Sequence, residues 1–391
     1  MPINNRIAAF HPEITAWRRA LHAHPEICYE EKWTSDFVAK KLEEFGIEVH
    51  RGLAGTGVVG TLKGNRPGKA AIGLRADMDA LPMTEKNTFD HASQIPGRMH
   101  ACGHDGHTAM LLGAAKYLAE TRNFAGTVQF IFQPAEEGGA GARKMIEEGL
   151  FEKFPVDAVF GMHNWPGVPV GTMSGTVGPI MAATDTFEIT VHGKGGHAAH
   201  PEKAVDPIVI GAQLVTALQS IASRQVDPIK NAVVSITQFH AGSAYNVIPD
   251  DVVLRGTIRT FDPDVRKLVE TSMKQICEGI CAGMGGSVTV EHRPGYPATV
   301  NSARETEVAL GIAERLLGAG NVDRAPQASM GGEDFAYMLQ VKPGAYLRIG
   351  NGPDTEGRKL HQTNYDFNDE VLPIGASYWA QLVEQTLTSE A

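Results

Sequence analysis

Along the first 180 residues, short and almost continuously apolar runs alternate with stretches of helical spacing. Residues 70–74, 127–132 and 157–161 are runs of this kind, and 345–349 repeats the pattern late in the chain. Little alternation within a run is expected of strands covered on both faces. Between the runs, Val38, Leu42 and Phe45 recur at helical spacing, with Thr34 placed to cap the segment and Gly46 to end it in a left-handed residue. This order predicts an α/β domain with a mostly parallel sheet flanked by helices.

From residue 184 the period changes to two. Phe187, Ile189 and Val191 are apolar against Thr186, Glu188 and Thr190, the signature of a half-exposed strand. Residues 232–239, 252–261 and 287–291 are also strand-like, and Asp206-Pro207 and Asp262-Pro263 each set an N-cap before a proline at the first helical position. The expected block is an α+β insertion spanning 184–295, an antiparallel sheet with two helices on one face. Residues 1–183 and 296–391 then form one domain, split in sequence.

With 391 residues, two or three domains are expected, and 42% hydrophobic with 20% charged residues suits folded cores. No apolar run approaches the roughly 18 residues of a membrane span, and the first residues carry no apolar signal core. A cytoplasmic protein is expected. A net charge of −10 offers no basic face for nucleic acid. Four scattered cysteines are too few for a disulfide framework, so each is a free thiol or a metal ligand.

The candidate chemistry follows the apolar strands. Asp77 and Asp79 come after the first, Glu136 and Glu137 after the second, His163 after the third and His361 after the last, while 100–107 adds Cys102 and three histidines directly before a helix expected to start near Thr108. In an open parallel sheet, ligands bind outside the carboxyl ends of the strands, so these groups should converge. Imidazole, carboxylate and one thiol suit a borderline divalent ion of the zinc, manganese or cobalt type. Hydrolysis by metal-activated water needs one carboxylate on the metal and another to take a proton, and adjacent glutamates can divide those tasks. Spacing alone does not say which glutamate does which. A thiolate among carboxylates implies a cation, whereas Cys277 and Cys281 read as core residues. Residues 55–60 spell G-x-G-x-x-G, but a strand pattern follows where a dinucleotide site needs a helix, so an NAD-dependent oxidoreductase is rejected.

The strings 101–108 (ACGHDGHT), 134–142 (PAEEGGAGA), 161–163 (GMH) and 331–335 (GGEDF) resemble the amidohydrolase branch of the zinc-aminopeptidase-like metallopeptidases, which includes hippurate hydrolases, aminoacylases and hydrolases of indole-acetyl-amino acids. The resemblance implies two divalent ions (Zn, Mn, Co or Ni) held by Cys102, His104, Glu137, His163 and His361, with Glu136 as general base and Asp79 orienting a ligand imidazole. It implies that His197, in a loop of the insertion, polarises the scissile carbonyl, and that Asn246 and Arg259 bind the substrate's carboxylate. The split domain is then catalytic and the insertion a lid and dimerisation domain. The implied substrate is an N-acyl amino acid, the implied assembly a homodimer or higher homo-oligomer. A dipeptidase, carboxypeptidase or aminobenzoyl-glutamate hydrolase on the same scaffold is the alternative, and a non-catalytic metal-binding protein is the rival from another class.

Overall fold

The most continuously apolar segments become the middle of a sheet. The computed structural model describes residues 3–353 and 359–388, which divide into two compact units. The first is drawn from Met1–Ile180, Val300–Gln327 and Asp334–Ala391, the second from Met181–Thr299 and Ala328–Glu333.

In the first unit, β1 (Glu48–Leu53), β2 (Gly57–Lys63), β3 (Arg66–Asp77), β4 (Ala125–Gln133) and β5 (Ala158–Trp165) lie in the order β1-β2-β4-β3-β5. The strands Gly344–Gly350, Met173–Ser174 and Val322–Asp323 complete the sheet on the β5 side. The four central strands, β4, β3, β5 and Gly344–Gly350, run parallel. The outer strands β1 and β2 are antiparallel to their neighbours. Helix α1 (His104–Thr121) is buried along most of its length and packs against the helices His11–Ala23 and Leu372–Thr386. Its Ala, Leu and Met side chains join Phe130, Phe132 and Phe160 in the core.

Two helix starts differ from expectation. The early helix is Lys32–Glu44, and Thr34 lies inside its first turn. The Glu26 carboxylate, from the segment just before the helix, accepts from the N–H groups of Trp33 and Thr34 and satisfies that helix end. Helix α1 starts at His104, not near Thr108, which places His104 and His107 on one helical turn.

The second unit contains a four-stranded sheet, β6 (Ala183–His192), β7 (Ala232–Ala241), β8 (Asp251–Thr260) and β9 (Ser287–Pro294), in the order β7-β8-β6-β9, all antiparallel. Helices α2 (Pro207–Ser220) and α3 (Pro263–Gly283) supply Ile210, Leu214, Val269, Met273, Cys277 and Cys281 to its core. Asp206 and Asp262 cap them by accepting from backbone N–H groups of the first turn. Residues 328–333, which the sequence reading assigned to the split domain, lie in this unit, where Ala182 N–H meets the carbonyls of Ser329 and Gly331.

Candidate metal centre

Parallel strands bring the ends of β3, β4 and β5 to one edge of the sheet, and the chemistry collects there. Asp77 ends β3, the Glu136-Glu137 pair lies just beyond β4, and His163 lies near the end of β5. Helix α1 begins with His104, and the segment before it carries Cys102. His361 arrives from a later loop, its N–H bonded to the Ala101 carbonyl.

Donor atoms of Cys102, His104 and His163 lie within 4.8 Å of one another. So do those of Cys102, Glu137 and His361, and those of His104, Glu136 and Glu137. Cys102 Sγ is 3.3 Å from His163 Nε2, and His361 Nε2 is 3.2 Å from Glu137 Oε1. All except His361 and Glu137 are buried. Two residues beside the glutamates, Ala135 and Ala140, and also His361, have positive φ without being glycine (56°, 55° and 58°). Such backbone persists where the surroundings hold it. For Ala135 the holder is Glu31, fully buried, whose Oε1 accepts the Ala135 N–H at 2.9 Å.

The hydrogen bonds show which of these side chains keep a donor atom open. His104 Nδ1 faces the Asp79 carbonyl at 2.9 Å and Asp79 Oδ1 at 3.3 Å, leaving Nε2 buried with no hydrogen-bond partner among the described residues. Asp79 Oδ2 accepts the Glu137 N–H at 2.8 Å, so one carboxylate steadies both residues. His163 Nδ1 donates to the Asn164 carbonyl at 2.7 Å, which turns the lone pair of Nε2 toward Cys102. Asp77, by contrast, is tied on both oxygens: Arg75 Nη1 donates to Oδ2 at 2.7 Å and His107 Nδ1 to Oδ1 at 2.6 Å. His107 Nε2 in turn accepts the Asn164 N–H at 2.9 Å. His107 thus has no ring lone pair to spare, and both oxygens of Asp77 are tied to neighbours, although both residues lie near His104.

Electrostatics points the same way. Burial, together with Glu137, Glu136 and Asp77, pushes the Cys102 thiol well above its ordinary range. Burial alone would push the His104 imidazole down, but Asp77, Asp79 and Glu137 push it up to about 10. Both shifts describe a pocket of negative potential that stabilises positive charge. A softly basic donor set, an imidazole nitrogen without a partner and surplus negative charge together fit a divalent transition ion.

The chain belongs to peptidase family M20/M25/M40. The family model matches residues 73–385. The chain is 44% identical to the hippurate hydrolase of Campylobacter jejuni, over 93% of this chain and 94% of that one. It is 42% identical to the N-acetylcysteine deacetylase of Bacillus subtilis, over 96% and 97%. A crystal structure of a dinuclear metal binding peptidase of the M20 family, also from Bacillus subtilis, superposes with a TM-score of 0.84 at 39% identity, covering 97% of this chain and 99% of that one. As a member of this family, the protein is an enzyme acting on amide bonds. The G-x-G-x-x-G string runs into β2 and opens no helix, so a dinucleotide has no seat there.

The remaining candidates lie in the second unit. His197 and Val247 are paired on a short two-stranded ladder, and the Asn246 carbonyl accepts the Ala198 N–H, so His197 and Asn246 are neighbours, both exposed. Arg259 is half-buried on β8, donating to Thr257 Oγ1 and the Ile258 carbonyl. Arg255, on the same side of that strand, is paired with Glu188 at 2.6 Å. Among the described residues no hydrogen bond joins Arg259 to His197 or Asn246. The sequence did not single out Glu31 or Asn164, and it offered His107 only as one of the imidazoles of 100–107. A glutamate ahead of a helix and an asparagine in a strand have no spacing that announces them.

Proposed function

We propose that the protein is a metal-dependent amidohydrolase that cleaves N-acyl amino acids of the hippurate or N-acetyl type into a carboxylic acid and a free amino acid. The observation that carries this reading is a pair of donor sets, Cys102-His104-His163 and Cys102-Glu137-His361, that share Cys102 and have Glu136 beside them. Each set suits one ion, so Cys102, His104, Glu137, His163 and His361 would hold two divalent ions (Zn, Mn, Co or Ni), Cys102 belonging to both sets. Bound there, such ions polarise an amide carbonyl and acidify the attacking water. Glu136 takes the proton of that water and hands it to the leaving nitrogen. Asp79 holds His104 in the tautomer that presents Nε2.

His197 donates to the oxyanion as it develops, and Asn246 with Arg259 binds the amino-acid carboxylate, which the Arg259 guanidinium suits by its fork of donors. A homodimer or higher homo-oligomer belongs to this reading. Its support is apolar surface on the second unit: Ile208 and Val209 on α2 and Phe239 on β7 are exposed, and β7 is an outer strand of its sheet. Four free cysteines accord with the expected reducing cytoplasm, and no helix among the described residues is long and apolar enough to cross a membrane.

The test is a hydrolysis panel of N-benzoyl, N-acetyl, indole-acetyl and aminobenzoyl amino acids beside free dipeptides, with metal analysis of the same sample. Turnover of N-acyl amino acids by metal-bearing protein is expected. Turnover confined to dipeptides or to aminobenzoyl-glutamate would transfer the assignment to those substrates, and none at all would overturn it.

A further inference from the structure

Asn164 follows His163 near the end of β5 and is fully buried. Its polar groups reach four residues. The backbone N–H donates to His107 Nε2 at 2.9 Å, and Nδ2 donates to the Cys102 carbonyl at 2.7 Å while also lying 3.1 Å from His107 Nε2. Oδ1 accepts from the Tyr365 hydroxyl at 2.9 Å, and the backbone carbonyl accepts from His163 Nδ1 at 2.7 Å.

These partners leave one chemical assignment. A carbonyl only accepts, so the Cys102 contact decides which end of the amide is nitrogen, and Tyr365 must then donate to the other end. A backbone N–H only donates, so His107 carries its proton on Nδ1, where Asp77 accepts it. A buried amide satisfied in a single orientation holds its neighbours to that orientation. Gly103 completes the fit. Its φ is +91°, and a Cβ there would lie 2.2 Å from Asn164 Nδ2 and 2.6 Å from the Tyr365 hydroxyl oxygen.

Three stretches of chain meet at this one side chain: 102–107 with Cys102 and His104, the end of β5 with His163, and the segment from His361 to Tyr365. Cys102 and Tyr365 are 62 and 201 residues away in sequence. Each stretch carries at least one of the donors assigned above.

We propose that Asn164 is a positioning residue of the metal centre, its side-chain amide fixing the Cys102 backbone, and with it the sulfur, relative to His163. The inference rests on the ligand set proposed above. Without the amide, the Cys102 backbone and the Tyr365 segment relax, and bound metal must supply the order that Asn164 otherwise imposes beforehand. Asn164 acts through the ligands and does not touch the substrate.

The full chain, stripped of metal and titrated with cobalt(II) against a chromophoric chelator, tests this through cobalt affinity and the sulfur-to-cobalt charge-transfer absorption. Asn164→Ala is expected to bind cobalt about 10- to 100-fold more weakly, with a weakened or displaced band. Tyr365→Phe, which removes only the hydroxyl holding Oδ1, should lose about fivefold. A folded Asn164→Ala protein with wild-type affinity and an unchanged band would overturn the proposal, because a merely structural role lowers the melting temperature and leaves both readouts alone. Should Asn164→Ala fail to fold, Tyr365→Phe decides by the same criteria. A wild-type protein that binds no cobalt would instead overturn the ligand assignment.

Discussion

Glu136 and Glu137 are adjacent in sequence and unequal in surroundings. The Glu137 backbone is tied to Asp79 and its carboxylate faces His361, whereas Glu136 Oε1 lies 3.4 Å from the Asp334 N–H. The pair was legible from sequence, and so was its strand-end position. The different surroundings of its two members were not, because they depend on Asp79 and His361, which lie far off in the chain. If Glu136 moves the proton, Glu136→Gln should keep its metal content and lose about 10²- to 10⁴-fold in kcat on the best N-acyl amino acid. Metal analysis beside steady-state kinetics checks this, and wild-type turnover in that variant would remove Glu136 from the mechanism. The parts played by Glu31, His107 and Asn164 were invisible for a related reason. These residues act through hydrogen bonds to groups far off in the chain, and no residue pattern records that.

At the scale of elements, strands were easier to read than helix starts. Apolar runs located β3, β4 and β5 to within a few residues, since burial on both faces leaves a direct mark on composition. Helix α1 begins earlier than its apolar pattern does, because its first turn is built from His104, Asp105 and His107, buried polar residues held by partners elsewhere. Gly103 is the residue that permits this start. Its left-handed backbone costs an ordinary residue about 1–2 kcal/mol, and here a Cβ would also collide with Asn164. Gly103→Ala should therefore lower the melting temperature and displace the Cys102 loop. Melting curves of the metal-free protein and of the metal-loaded one provide the check: a wild-type stabilisation by metal in Gly103→Ala would show that the loop tolerates the change.

The whole molecule combines a parallel-sheet unit that carries the candidate metal ligands with an antiparallel unit inserted into its sequence. That organisation was legible because the hydrophobic period changes at 184. The placement of 328–333 was not, since a short glycine-rich segment has no period to read. Global stability should also respond to pH through the buried His22. Burial by itself would push its imidazole down, but Asp105 and Glu85 push it up to about 9, against 6.5 for an unperturbed histidine. The folded protein thus keeps a proton that the unfolded chain releases. Stability from this group is complete below about pH 6.5 and is lost as the pH rises through about 9. The melting temperature of metal-saturated protein should fall across that window, and His22→Gln should flatten the fall; an equal slope in both proteins would refute the linkage.

Removal and return of metal tests the central claim most directly. Protein stripped by a chelator and freed of it by exchange should lose nearly all release of benzoate from hippurate, or of acetate from an N-acetyl amino acid if that is the better substrate. Zinc, manganese, cobalt or nickel, added back singly, should restore that release, with the active protein holding two ions per chain. Full activity in protein shown by metal analysis to contain no metal would contradict the account.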